Sequence, residues 1–331
     1  MKIIEISSIE KLIEYKEKFK NLELHVSFFQ NYEFILNYLS FYKEKFSINF
    51  IQNKDQIIMI PLSMFKYKKL RFYGFIGSPD ISEENDLVSN LKDFNEFAYM
   101  MDFFFNNNKK KKFFFCNLKK GFFKEYLSKN KDFYETNKVN ANIVDVSKSE
   151  FYLNEHSKKK NHLYELRKFE KDYNIKEEDF EISDLNKQET EKYEILNFIK
   201  SNKNINNSKF EKTLNFLISL VKLELTKVSL LKAKNLILSA IIYSVYENKL
   251  YYLIPSYNKL FKKFSFGKIH LNKLIKMHHL KGINRLFLGP GNEVYKKKFI
   301  LSDEKIYFFS NSLILRYLLK LKFFIKGNKF E

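Results

Sequence analysis

The same order of helices and strands is predicted twice along this chain of 331 residues. In each half, the spacing of apolar residues predicts two helices, a meander of three strands, a helix, a strand, another helix and a final strand. The strands of the first meander are SINFIQ, QIIMIPLSMF and LRFYGFI, and those of the second are KVSLL, LILSAIIYSVY and LYYLIP. Nine elements in one order predict two modules of similar design, which constrains the fold more than any single motif.

The predicted modules occupy 1–145 and 146–331, joined near 138–150. Each is expected to be a mixed, mostly antiparallel sheet flanked by helices, in the α/β or α+β class. Short turns join the strands of each meander, which favours antiparallel neighbours. The helices that flank the two meanders are predicted at 31–46, 83–105, 209–225 and 268–281.

The composition is that of a globular intracellular protein. Hydrophobic residues make up 45% of the chain, too many for a disordered one. Cys116 is the single cysteine, which fits a reducing compartment, and no Cys/His cluster has the spacing of a metal site. The N-terminal stretch has no apolar signal region and no apolar run is long enough to span a bilayer, so the expected location is the cytoplasm.

The net charge of +20 has two explanations that the sequence leaves open. It could mark a nucleic acid or another anionic partner. However, the 59 basic residues comprise 55 lysines and only 4 arginines, beside abundant Asn, Ile, Phe and Tyr. This skew is typical of A/T-rich coding, and proteins that read nucleic acids favour arginine. A solvated lysine surface is therefore the preferred interpretation.

Glycine is scarce in this chain, and half of the glycines lie in one short segment. The chain has 8 glycines, and four of them, Gly267, Gly282, Gly289 and Gly291, fall within one segment of the second half. The last two surround Pro290 in the stretch GPGNEVYKKKF. Backbone freedom placed between a strand and a helix indicates a sharp turn or a close approach to a ligand.

The stretch from 250 to 299 resembles the GNAT acyltransferase superfamily, and more closely its double-domain branch. That branch includes the CelD/BcsL-type acetyltransferases and the FemA/FemB-like aminoacyl transferases. Gly291, Glu293, Tyr295 and Lys296 match a Gly-x-Glu-x-Tyr-Lys motif of the family, whereas Phe266 replaces the proline of its Ser-Pro-Gly loop. The segment YLNEHSKKKNHLYELRKFEKD is similar to the family's helix that opens the second module.

The resemblance implies an N-acyltransferase that moves an acetyl or other acyl group from acyl-CoA, without a metal, to an amine acceptor. The acceptor could be an amino sugar or a cell-surface polysaccharide precursor. The second module would bind the donor and catalyse the reaction, and the degenerate first module would shape the acceptor site. Two alternatives stay open: a transferase that uses aminoacyl-tRNA, and a non-catalytic module that binds a glycan or a membrane surface.

The expected donor site lies where the second meander meets the next helix. A helix beginning just after Gly267 would direct free N–H groups and the positive end of its dipole at a pyrophosphate. In the family, backbone N–H groups of the preceding strand, here at Leu253 and Ile254, polarise the thioester carbonyl. The other candidate donor contacts lie in the connecting segment: Lys262, Lys263, Ser265, Phe266 and Lys268.

Three residues are candidates for proton transfer. Tyr295 follows the Gly-Pro-Gly turn and is expected to protonate the departing thiolate. Glu293 and His270 are candidates for the base that deprotonates the attacking ammonium, with His278 and His279 in the same region. No Ser-His-Asp or Cys-His spacing indicates a covalent intermediate.

The C-terminal stretch NSLILRYLLKLKFFIKG, 311–327, predicts an amphipathic helix. One side would carry apolar residues and the other Arg316, Lys320, Lys322 and Lys326. Such a helix either packs on the second module or makes a peripheral contact with a membrane. The sequence leaves both interpretations open.

Overall fold

The structure is a computed structural model that describes residues 1–22, 27–67, 69–146, 160–184, 189–203, 208–234, 236–290, 296, 299, 302 and 304–318. The chain forms two compact units. The first combines Met1–Asn140 with Asp303–Glu331, and the second is the continuous segment Ala141–Ser302.

The first unit contains an antiparallel sheet in the order β1-β2-β3-β4, with β5 also paired to β3, and a three-stranded sheet in the order β6-β14-β7. Its strands are β1 (Lys2–Ile6), β2 (Phe46–Asn53), β3 (Gln56–Tyr67), β4 (Leu70–Phe75), β5 (Val88–Ser89), β6 (Phe114–Leu118), β7 (Tyr134–Asn140) and β14 (Lys305–Ser310). Its helices are α1 (Ile9–Glu14), α2 (Lys16–Lys20), α3 (Tyr32–Tyr42), α4 (Phe94–Asn107) and α5 (Phe122–Lys129).

The second unit contains one six-stranded sheet in the order β8-β13-β12-β11-β10-β9. Its strands are β8 (Ile143–Asp145), β9 (Phe180–Asp184), β10 (Lys227–Ala233), β11 (Leu236–Tyr246), β12 (Lys249–Tyr257) and β13 (Arg285–Phe287). Its helices are α6 (Lys160–Tyr173), α7 (Glu189–Lys203), α8 (Ser208–Ser219) and α9 (Phe266–His279). All pairings are antiparallel except that of β12 with β13.

Both predicted meanders are present. β2 and β3 are joined by a two-residue turn at Lys54, and β11 and β12 by another at Glu247. Both turn residues have a left-handed backbone, with φ of 54° and 52°. Each meander packs apolar side chains against helices, and burying one such side chain fully stabilises the fold by about 1.5–3 kcal/mol. The predicted class, mixed sheets flanked by helices, is confirmed.

The final strand of the second half lies in the first unit. The final strand predicted for the module 146–331 is EKIYFFSN, which forms β14 in the structure. β14 pairs with β6 and β7 and is the central strand of their sheet. The reverse exchange occurs at β8, which pairs with β13 in the second unit although it lies within the predicted range 1–145. The units of the structure therefore do not coincide with two consecutive halves of the chain.

The helix predicted at 83–105 begins later than expected. α4 starts at Phe94, where the Asp93 carboxylate accepts a hydrogen bond from the N–H of Glu96. Upstream, the buried Asn85 donates its backbone N–H to the carbonyl of Asn117 at the end of β6. A helix could not offer its backbone groups to a neighbouring strand, so this segment is extended. The strands β1 and β9 were not predicted from the sequence.

Candidate active site

The parallel pairing between β12 and β13 is short. Only Lys249–Tyr251 of β12 pairs with Arg285–Phe287 of β13. β12 continues to Tyr257, and among the described residues it has no ladder partner on this side beyond Tyr251. The backbone groups along this edge of β12 are therefore available to a ligand.

A β-bulge lies where this open edge begins. Tyr252 pairs with Tyr243, and Ile254 pairs with Ile242, so Leu253 has no counterpart on β11. A bulge interrupts regular pairing and increases the local twist of its strand. Leu253 and Ile254 were predicted to present N–H groups to a thioester carbonyl, and the structure places both at this irregularity.

The N-terminus of α9 follows the open strand. The chain leaves β12 through a 3₁₀ helix, Lys259–Phe264, and α9 starts at Phe266, one residue earlier than its predicted position after Gly267. Ser265 occupies the N-cap position with a left-handed backbone and its side chain makes no capping hydrogen bond. The carbonyl of Ser265 accepts from the N–H groups of Lys268 and Ile269. The aligned peptide dipoles give this end of the helix a partial positive charge.

The corresponding helix of the first unit is capped by the protein itself. The N-terminus of α4 is satisfied by the Asp93 carboxylate, which accepts a hydrogen bond of 2.9 Å from the N–H of Glu96. A carboxylate at this place also complements the helix dipole. Of these two corresponding helices, only α9 lacks a side-chain cap, and an anion there would meet no competing carboxylate from the N-cap.

Gly267 lies in the first turn of α9 and is not required by the backbone. A Cβ added there would meet Tyr257 Cδ1 at 3.7 Å, which is an ordinary van der Waals distance. Its φ also lies outside the left-handed range. Alanine would therefore fit at position 267. Neither a steric clash nor a left-handed backbone requires glycine there.

The predicted donor contacts divide into surface and core residues. Lys262, Lys263 and Lys268 are exposed around the start of α9, and Ser265 is half-buried. Phe266 is instead 2% exposed, with its ring 4.8 Å from that of Phe169, measured between centroids. Only the backbone of Phe266 could contact a donor.

His270 faces the sheet and not the solvent. Its side chain is fully buried, and Nε2 lies 2.9 Å from the hydroxyl of Ser229 on β10. Burial lowers the pKa of His270 to about 3, so the ring is neutral at physiological pH. A neutral ring without exposed surface is placed to pack and to orient α9, which argues against direct contact with an acceptor.

His278, one of the neighbouring histidines, is also in the core. Its ring is in edge contact with that of Tyr243, with 5.2 Å between the centroids. Burial lowers the pKa of His278 to about 4. Tyr243 in turn donates its hydroxyl to the Asp184 carboxylate at 3.1 Å.

The turn after β13 is held by two side chains. Gly289 has a φ of 76°, in the left-handed region that favours glycine. Its carbonyl accepts hydrogen bonds from Asn142 Nδ2 at 2.7 Å and from Lys296 Nζ at 3.1 Å. Lys296 also donates to the carbonyl of Pro290 at 3.1 Å and is 4% exposed. A buried ammonium bound to two carbonyls fixes the path of the chain where it leaves the sheet.

The two remaining catalytic candidates, Tyr295 and Glu293, lie outside the described residues, as does Gly291. Lys296 and Asn142 received no role from the sequence. Lys296 is one of 55 lysines, and Asn142 stands in a polar bridge between modules. The only signal for Lys296 was its place in the Gly-x-Glu-x-Tyr-Lys match.

In the first unit, the strands β4 and β6 correspond to β12 and β13, and the space between them is occupied. β4 and β6 meet in a parallel bridge between Tyr73 and Phe113. A Cβ on Gly74 would lie 2.5 Å from the carbonyl oxygen of Phe114, so the backbones are in close contact there. Further along, Asn85 occupies the edge of the chain that follows β6, since its carbonyl accepts from the N–H of Lys119 at 2.9 Å. The first unit therefore offers no equivalent open edge at this place.

Comparison with known proteins connects this geometry to a family. Residues 214–297 match the family described as an acetyltransferase (GNAT) domain, a range that contains β10 to β13, α9 and the turn after β13. No curated protein sequence matches the chain significantly.

Several solved structures share the fold over almost the whole chain. FemX aligns with a TM-score of 0.60 and 11% identity, over 95% of this chain and 98% of its own. The C-terminal domain of an Agrobacterium fabrum protein assigned as a lysylphosphatidylglycerol synthetase gives 0.56 and 11%, over 95% and 96%. L-PGS from Bacillus licheniformis gives 0.51 and 12%, over 95% and 96%. At these identities the similarity shows the fold alone.

The domain match and the shared fold agree with the geometry of the second unit, where β12 and β13 part beside the N-terminus of α9. The resemblance seen in the sequence is confirmed to this extent: the chain contains an acetyltransferase (GNAT) domain, residues 214–297 of the second unit, and shares its fold with FemX over 95% of its length.

Proposed function

We propose that this protein is an N-acyltransferase whose second unit binds acetyl-CoA or another acyl-CoA. The observation that carries the proposal is the succession, among the described residues, of two stretches of backbone where a ligand's oxygen atoms could bind. One is the open edge of β12 at its bulge, and the other is the uncapped N-terminus of α9. The first stretch suits a polarised carbonyl oxygen and the second suits a pyrophosphate.

The reaction follows from these positions. The amine nitrogen of the acceptor attacks the thioester carbonyl, and the carbonyl oxygen gains negative charge near the N–H groups of Leu253 and Ile254. The carbon–sulfur bond then breaks, and the thiolate takes a proton from the hydroxyl of Tyr295. Before the attack, the acceptor ammonium loses one proton to a base, for which Glu293 is the candidate, since His270 is buried and bonded to Ser229. The second proton, which the nitrogen loses as the amide forms, restores the hydroxyl of Tyr295.

We assign the acceptor site to the first unit, and propose an amine on an amino sugar or on a polysaccharide precursor as its occupant. The family resemblance supports this division of roles. The structure supports it in one respect: in the first unit, Asp93 caps the helix that corresponds to α9, and Asn85 pairs with the end of β6, the strand that corresponds to β13.

The donor site is tested by substituting Gly267. Gly267→Asp adds a carboxylate to the first turn of α9, close to the proposed pyrophosphate. We expect the affinity for CoA, measured by calorimetry, to fall by about tenfold or more, since each pair of close like charges costs roughly 1 kcal/mol or more in a partly buried site. Circular dichroism should show an unchanged fold.

Gly267→Ala is the matched control. Its added methyl group would lie 3.7 Å from Tyr257 Cδ1, an uncrowded distance, and it brings no charge. CoA affinity close to that of the unmodified protein is expected. Equal affinity in the Asp and Ala variants would place the donor elsewhere.

An aminoacyl-tRNA donor is the second candidate. Two observations favour it: the fold shared with FemX and L-PGS, and the segment before α9, where Lys262 and Lys263 are exposed on a 3₁₀ helix. Co-purification of tRNA, removed by salt, together with acyl transfer from charged tRNA and none from acyl-CoA, would establish this donor and exclude the first. Transfer from acyl-CoA in tRNA-free protein would exclude the second.

A further inference from the structure

The last described residues of the first unit present an apolar surface to solvent. A helix begins after Ser312 and is described over 313–318. Leu315 is buried against Phe72 and Phe114, whereas three other apolar residues face outward. These are Leu313, Ile314 and Tyr317, which are 51%, 56% and 65% exposed. We call these three residues the C-terminal apolar patch.

The orientation of this helix separates the two interpretations that the sequence left open. A helix whose apolar residues served only to pack on its own domain would bury them. Here, Leu315 is buried in the core of the first unit, Leu318 is half-buried, and the three residues of the patch are exposed. Exposed apolar side chains grouped on one helix, unlike isolated ones, indicate a contact with something outside the chain.

Charge identifies the kind of partner. Arg316 lies beside the patch, with its guanidinium 4.5 Å from the centroid of the Tyr134 ring. From Leu313 to Phe330 the sequence has no acidic residue, and its basic residues are Arg316, Lys320, Lys322, Lys326 and Lys329. Apolar and basic residues combined in one segment suit a surface that is apolar inside and negatively charged outside.

We propose that the helix 313–318 binds the surface of an anionic lipid bilayer, with the C-terminal apolar patch inserted at the level of the headgroups. A second copy of the chain is a poorer occupant, because it would bring an equal basic segment and a net charge of +20 towards the same surface. Among the described residues, no helix has the length and apolar content to cross a bilayer. The proposed contact is peripheral and does not depend on which donor the enzyme uses.

The test is co-sedimentation of the full chain with vesicles of phosphatidylcholine alone, and of phosphatidylcholine and phosphatidylglycerol in equal parts. We expect binding to the second kind only, weakened by salt. The double variant Ile314→Glu with Tyr317→Glu should bind those vesicles about tenfold or more weakly, since it replaces inserted apolar side chains with charges that the lipid repels.

Tyr99→Glu is the matched control, because Tyr99 is also 65% exposed but lies on α4, away from the patch. It should bind vesicles like the unmodified protein. Absence of binding to anionic vesicles, or equal weakening by the control and the double variant, would overturn the proposal. So would a dimer, measured by light scattering, that the double variant dissociates, because the patch would then be an interface between copies.

Discussion

In the proposed reaction, the hydroxyl of Tyr295 gives a proton to the departing thiolate. Tyr295→Phe removes that hydroxyl and keeps the ring. Loss of a general acid typically lowers the rate about 10²–10⁴-fold. Because the proton is needed only as the thiolate forms, we expect kcat to fall while KM for the donor changes little. The measurement is release of free thiol from an acyl-CoA in the presence of an amine acceptor.

Near-normal turnover in the Phe variant would contradict the acid role of Tyr295. A slightly lowered melting temperature with full activity would then identify Tyr295 as a packing residue. Because the proposed donor contacts lie on β12 and at the start of α9, and Tyr295 belongs to neither element, CoA binding should be the same in both proteins under either outcome.

Lys296 offers a second test on the scale of residues. Lys296→Met keeps the length of the side chain and removes the ammonium that binds the carbonyls of Gly289 and Pro290. Losing these buried hydrogen bonds should lower the free energy of unfolding by about 1–3 kcal/mol. Denaturant titration measures it, with an exposed lysine, Lys262→Met, as control. An unchanged stability would mean that the two contacts contribute nothing net.

Single residues were also where the sequence was least informative. Nothing local distinguishes the buried Lys296 from the exposed lysines around α9, because burial depends on the path of the chain after β13. His270 illustrates the same limit: helical spacing places it near the donor region, but only the packing of α9 shows that its ring meets Ser229 and lacks exposed surface.

At the scale of elements, the attachment of α9 to the sheet should depend on pH. The pKa of His270 is about 3 in the folded protein and near its ordinary 6.5 when unfolded. Between about pH 6.5 and pH 3, His270 is protonated in the unfolded state but not in the folded state. The free energy of unfolding therefore falls as the pH drops through this range. The contribution of one such group approaches about 1.4 kcal/mol per pH unit.

His270→Gln should flatten this slope, because glutamine can hydrogen-bond to Ser229 but does not titrate. Urea unfolding at a series of pH values compares the two proteins. Histidine resonances that place the pKa of His270 near its ordinary value would contradict the explanation by burial.

The meanders were predictable because their apolar strands and two-residue turns are local properties. The segment before α4 was not, since its conformation depends on a distant partner. Asn85 bonds to the carbonyl of Asn117, more than 30 residues later, and to Lys119. Helical periodicity in that segment gave no sign of this pairing. Leu253 and Ile254 were selected through the family resemblance, whereas the bulge at Leu253 is seen only in the register of the two strands.

On the scale of the whole molecule, the sequence predicted two modules, and the structure divides into two compact units. The sequence did not predict that the last strand would join the first unit. EKIYFFSN and KDFYETN look equivalent in the two halves, and apolar pattern alone does not specify the partner of a strand. In the structure these two segments pair with each other, as β14 and β7.

The exchange of β14 has a consequence for synthesis on the ribosome. The second unit is continuous from Ala141 to Ser302, so all its strands have been translated before β14 is made. The first unit begins earlier but lacks the central strand of its β6-β14-β7 sheet until Ser310 has emerged. The unit that starts the chain is thus the last to be completed. After β7 has been translated, more than 160 further residues must follow before β14 is available to pair with β6 and β7.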